Sequence, residues 1–247
     1  MKRDWLILMT IASCLLTFVS CKKTETLSPV TLNNLYPLQT GKTYLYRLDS
    51  MVVLNLGSDT AIHSYLAKDI VDSQFLDASG RKSFRIYRYI TDTAGIQPWQ
   101  YAATFYATFD TVRTEFVDNN NNRFINLALP VDEYTTWSGN AYINTISPSP
   151  YAYLDGWQYQ YQNLNQPFTV LEGTIPNTYT VFQQNDSTQI GIFNPLYYQE
   201  RDYAIEVYAK GVGLIYKKFE HWVWQPSPGY YETDGYGITL NLISVSN

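Results

Sequence analysis

The chain has 247 residues, with 17 basic and 22 acidic side chains and a net charge of −5. That acidic balance leaves no electrostatic footprint for nucleic acid, whose binding draws on clustered Lys and Arg. Its two cysteines, Cys14 and Cys21, lie ahead of the body of the chain, which therefore has neither a disulfide framework nor a cysteine metal site.

Lys2 and Arg3 form a positive start, followed by an apolar run from Trp5 to Val19. The run has the length of a secretory signal and falls short of the roughly 20 apolar residues of a spanning helix. It ends in Phe18-Val19-Ser20-Cys21, close to the lipobox read by lipoprotein signal peptidase, with Phe where Leu is usual. A rival box, Ile11-Ala12-Ser13-Cys14, would leave too short an apolar core and a greasy new terminus from Leu15 to Val19. The expectation is a signal peptide over 1–20 and acylation of Cys21, with palmitate-type chains that hold the protein stably on a membrane. Lys22 follows, so the Asp that retains some lipoproteins in the inner membrane is absent. The predicted address is the outer membrane, on its periplasmic or cell-surface face.

Residues 21–34 read as the lipidated cysteine and a polar tether, and 35–247 as one domain. Without Lys2, Arg3 and Asp4 the count falls to 15 basic and 21 acidic side chains, a net charge of −6. The domain is rich in Tyr, Thr, Val and Ile, which suit a pleated surface. Strand-like runs follow in order: Thr43–Asn55, His63–Leu76, Ser83–Thr91, Trp99–Phe109, Thr111–Val117 and Phe124–Leu129. In the third, Phe84, Ile86 and Arg88 share one face. Further runs are Trp157–Gln162, Thr178–Gln184, Tyr203–Ala209, Gly213–Trp224 and Gly237–Val245. Short turns join them, among them Ala78–Arg81, the polar Asn119–Asn122 and Lys210–Gly213. The fold class is therefore all-β: about ten mostly antiparallel strands in a curved sheet, open barrel or sandwich. Leu196–Tyr208 is the best place for a helix.

The segments YPLQTGKTYLYRLDS, GRKSFRIYRYIT, LPVDEYTTWSGNAY and YAKGVGLIYKKFEHW together resemble a set of Bacteroidetes lipoproteins with no assigned activity. In that set a "TW.GNA" segment and an "EVYAKGVGLVYKE" hairpin recur in the same order. The resemblance implies an envelope address and no chemistry. The same hairpin also resembles one in periplasmic half-barrel lipoproteins that hold acyl chains.

Catalytic and metal motifs do not assemble. Gly41-Lys42-Thr43 lacks the glycine five residues earlier that a phosphate loop needs, since Tyr36 stands there. Asp118–Asn122 has calcium-loop oxygens at alternate positions, but Arg123 and Leu129 occupy the Gly and Glu positions of an EF-hand. His63 and His221 have no partner at ligand spacing, and His221 beside Trp222 reads as a strand-surface residue. No G-x-S-x-G elbow occurs. No catalytic residue, metal or cofactor is expected. Paired carboxylates drawn from Asp132, Glu133, Glu172, Glu200, Asp202 and Glu206 would serve a glycan-active hydrolase if two converged.

The strongest ligand candidates are aromatic: Trp157, Tyr159 and Tyr161 on one strand face, Trp222 and Trp224 on another. They read either as sheet interior or as rings that stack on a sugar or line an acyl groove. Asp-Ser/Thr followed by an apolar residue or Thr is the O-glycosylation pattern of Bacteroidetes. Five matches occur, at Ser50, Thr60, Thr93, Thr111 and Ser187, where chance gives roughly one. The functional expectation is non-enzymatic binding of a lipid, a glycan or an envelope protein. The alternatives are the hydrolase above or a structural subunit of an envelope complex.

Overall fold

The computed structural model describes residues 30–188 and 193–247. The expected signal peptide over 1–20, Cys21 and residues 22–29 of the expected tether lie outside the described residues. Among the described residues there are thirteen strands: β1 (Thr43–Leu54), β2 (Asp59–Leu76), β3 (Lys82–Thr91), β4 (Gln100–Phe109), β5 (Arg113–Val117), β6 (Arg123–Ala128) and β7 (Thr136–Trp137). They continue with β8 (Tyr159–Val170), β9 (Gly173–Ser187), β10 (Gln199–Ala209), β11 (Gly213–Gln225), β12 (Tyr230–Tyr231) and β13 (Tyr236–Ser246). All pair antiparallel in one sheet of order β6-β5-β4-β3-β2-β1-β13-β11-β10-β9-β8-β7, with β12 attached to β11. The chain thus meanders outward in both directions from the β1–β13 pair, which joins its two ends. The stretch from Leu196 that suggested a helix is loop and then β10, because Ala204, Glu206 and Tyr208 alternate inward against β9 and β11.

The sheet curls until its two edges meet. Register shifts in most of the strand pairs, such as Val71/Ser73 and Val207/Tyr208, supply the local twist that lets it close. The seam is clasped by three contacts. Ile125 N–H donates to Gly139 O at 2.6 Å, and Trp137 Nε1–H donates to Ile125 O at 2.8 Å. The Tyr161 hydroxyl accepts from Ala128 N at 3.1 Å and donates to Ala128 O at 2.7 Å, replacing a strand partner. Gly139 lies flat against the Tyr159 ring, where any Cβ would collide. The Thr136–Ala141 segment that figured in the family resemblance is therefore the barrel's clasp.

Inward positions carry the core: Tyr44, Tyr46, Ala67, Val71, Phe84 and Ile86 are all buried. Outward positions carry ion pairs such as Arg47–Asp49 at 2.8 Å, Arg85–Asp72 at 2.6 Å and Arg201–Glu220 at 3.3 Å. Apolar inside and charged outside is the pattern of a barrel in water, and the reverse of a membrane-spanning one.

One end is plugged. A single helical turn, α1 (Leu32–Leu35), is capped by Thr31 and buries Leu32 and Leu35. Behind it Tyr36 enters the barrel, its ring 6.1 Å from Phe109 and 5.9 Å from Tyr208. Gly211 N–H donates to Asn34 O, and Lys42 Nζ donates to the carbonyls of Pro37 and Val212. Gly213, at φ +121°, sits against the Tyr44 ring. The YPLQTGK and AKGVG segments thus meet as this plug.

Candidate functional site

Twelve strands in a ring enclose more space than side chains at the wall can fill. The plug fills part of it from one end. Loop residues Tyr151, Tyr153, Leu154 and Trp157 fill part from the other, held by the Asn140 Nδ2–H donated to Leu154 O. A cavity of about 230 Å³ remains along the axis, bounded by Tyr36 at the plug and reaching the surface at Asp118, Asn120 and Asn122 of the β5–β6 hairpin. Asp118 shapes that rim by accepting from the backbone N–H of Asn120 and Asn122, both at 2.8 Å.

Two aromatic walls face each other across the ring. On β4 and β5, Phe105 and Phe116 lie 5.3 Å apart. On the opposite side, Phe219 and Tyr236 stack at 4.8 Å, with Trp157 beside Phe219 at 6.1 Å. All five line the cavity.

Inside that rim, the four charges that line it are paired within the protein. Arg88 donates two bonds of 2.7 Å to the Asp69 carboxylate. Burial opposes the Arg88 charge, and the Asp69 carboxylate outweighs it, so the guanidinium's pKa is raised. Glu206 accepts from Tyr208 Oη at 2.6 Å and from Lys217 Nζ at 2.9 Å. The network continues through Asn126, which donates to Tyr208 Oη at 3.2 Å and accepts from Thr114 Oγ1 at 2.7 Å. It ties β10 and β11 to β5 and β6 across the barrel's interior. Burial drives the phenols of Tyr36, Tyr46 and Tyr208 far above their ordinary pKa, and also raises that of Tyr159, so all four stay neutral.

The sequence-derived site residues separate. Trp157 and Tyr159 are buried and line the cavity, whereas Tyr161 is consumed by the seam. These three form an interior row and not an exposed platform. Trp222 and Trp224 lie on the outer wall, packed with Phe193 and Tyr231 beneath the 193–198 segment, and Trp224 Nε1–H donates to Pro195 O. His221 corrects the surface reading: it is 6% exposed, stacked on Tyr153 at 3.7 Å and bonded through Nδ1 to Asp202 at 2.6 Å. It faces inward because β11 places it two residues beyond Phe219. Of the six carboxylates considered for hydrolysis, Glu206 alone lines the cavity. Thr93 and Thr111 are exposed in turns, while Ser50, Thr60 and Ser187 are half-buried.

Sequence reasoning missed Gln183, Tyr36, Asp69 and the Phe105–Phe116 wall. Arg88 alone gave a signal, a cation on the apolar face of β3. Gln183 gave none, sitting beside Gln184 in a polar stretch.

No family model and no curated protein matches this chain. Among solved structures, it is similar to "a putative lipoprotein from Parabacteroides distasonis", with 10% identity over 86% of this chain and 98% of that one and a TM-score of 0.38. At that score the likeness carries no function across.

Proposed function

We propose that the chain is a lipid-anchored protein of the bacterial outer membrane that acts without catalysis, by holding a small uncharged ligand inside its barrel. The observation that carries the reading is the axial cavity of about 230 Å³, aromatic-walled, with its inner charges paired as Arg88–Asp69 and Lys217–Glu206 and only Asp118 left at the rim. Mostly apolar concave sites with a few placed polar groups are what small-molecule sites look like. The cavity falls below the roughly 300–1,000 Å³ of drug-sized sites, so the ligand is small.

The anchor fits this arrangement. Cys21 is the expected acylation point, and the described chain enters at the plugged end. Eight residues separate Cys21 from Val30, and the nine steps between them reach at most about 30 Å. An acyl anchor there holds the plug toward the membrane and presents the Asp118–Asn122 rim away from it. The test is native mass spectrometry of the full chain released gently from membranes. The reading expects acyl mass on the N-terminal peptide and a second, non-covalent small-molecule adduct. A bare chain that gains no adduct from an envelope extract contradicts it.

A further inference from the structure

We infer that the cavity's ligand is a flat, neutral ring compound of about two fused rings, carrying one amide-type edge that is read by Gln183. This rests on the binding reading above and names the ligand class for the same site. Gln183 on β9 is 7% exposed, lines the cavity, and hydrogen-bonds no described residue through its carboxamide. The register Gln160↔Phe182 places Tyr159 of β8 opposite Gln183. Tyr159 is 2% exposed, lines the same cavity, and its hydroxyl likewise bonds no described residue. Polar groups in a largely buried site normally have partners, so adjacent ones that open onto one cavity and have none among the described residues mark where a ligand docks. A carboxamide offers a donor and an acceptor side by side, the complement of a lactam or similar edge.

Size, shape and hydrogen-bond demand narrow the class. An apolar cavity of about 150 Å³ accommodates benzene, so about 230 Å³ accommodates two fused rings. The Phe105–Phe116 and Trp157–Phe219–Tyr236 walls suit a planar ring between them. A sugar brings several hydroxyls, each needing a partner, to a cavity whose charged groups are already engaged. An acyl chain brings none and leaves Gln183 and Tyr159 unpaired. Inside the rim, where Asp118 stands at the mouth, a charged ligand meets no uncompensated opposite charge, since Asp69 is held by Arg88 and Glu206 by Lys217.

The test is calorimetric titration of the full chain in lipid nanodiscs, with empty nanodiscs subtracted, using 2-quinolone and quinoline. The two rings match in size, and only 2-quinolone carries the donor–acceptor edge. Expected is about ten-fold tighter binding of 2-quinolone, the worth of one well-placed buried hydrogen bond. Gln183→Leu should bring 2-quinolone down to the quinoline level and leave quinoline within about two-fold. Gln183→Met, closer in shape, replaces it if that variant does not fold. Equal affinities in the wild type, or a preference that survives the substitution, overturns the inference. Should neither probe bind while the native protein carries another small-molecule adduct, the ring class fails and the binding reading stands. Neither probe binding, with a bare native mass, sinks both.

Discussion

Arg85–Asp72 and Arg88–Asp69 are two ion pairs on the same two strands, a few residues apart, each with two short N–H bonds to one carboxylate. The first lies on the outer wall, with Arg85 Nε and Nη2 at 2.9 and 2.6 Å from Asp72. The second lies inside, with both bonds at 2.7 Å. Their side-chain exposures are 40% and 33% outside against 14% and 13% inside. Water screens the outer pair and pays most of what either charge needs alone. The inner pair has only itself, so each partner depends on the other. The barrel's two walls thus use one chemical group for opposite ends: solubility outside, and a neutral lining inside.

The largest way to separate the walls is alkali. Interior phenols such as Tyr36, Tyr46, Tyr159 and Tyr208 have folded pKa values raised above the ordinary 10.0, chiefly by burial. Above pH 10 the unfolded chain loses these protons and the folded one keeps them, so stability present below pH 10 is lost as pH rises. Each such phenol costs about 1.4 kcal/mol per pH unit beyond that point. A few of them use up a typical margin of about 5–15 kcal/mol within a unit or two. Urea midpoints at pH 8 and pH 11 should show a large fall.

Next comes Arg88→Met, which leaves Asp69 buried and unpaired and should cost about 3–5 kcal/mol by urea unfolding. Removing the carboxylate as well, with Asp69→Leu, should recover much of that loss. Tyr161→Phe opens the seam without touching either ion pair. It strips both backbone groups of Ala128 of a partner and should cost about 1–3 kcal/mol. Smallest is Arg85→Ala, whose urea midpoint should not be resolved from wild type. A large loss there would erase the distinction between the walls.

Much of the wall was legible from local pattern. Phe84, Ile86 and Arg88 alternate with Arg85, Tyr87 and Tyr89 as a one-sided strand must, and the polar Asn119–Asn122 stretch forms the expected hairpin. The strand count rose to thirteen partly because the two-residue strands β7 and β12 carry no periodicity to detect. Closure was not legible. It depends on Trp137 and Gly139 meeting Ile125, and on Tyr161 meeting Ala128, contacts that no local window contains. The stretch before residue 35 looked like tether because its apolar residues are few, yet Leu32 is buried in the plug. Gln183 was invisible because a strand glutamine looks alike facing water or a cavity. Only the closed ring decides which side is dry.

The most direct test of the account is a crystal structure of the protein purified from its native cells. It predicts continuous density for a small molecule between the Phe105 and Trp157 walls, within hydrogen-bonding distance of Gln183. A cavity holding only water, or one filled by collapse of its own side chains, would contradict the claim that the barrel is built to bind.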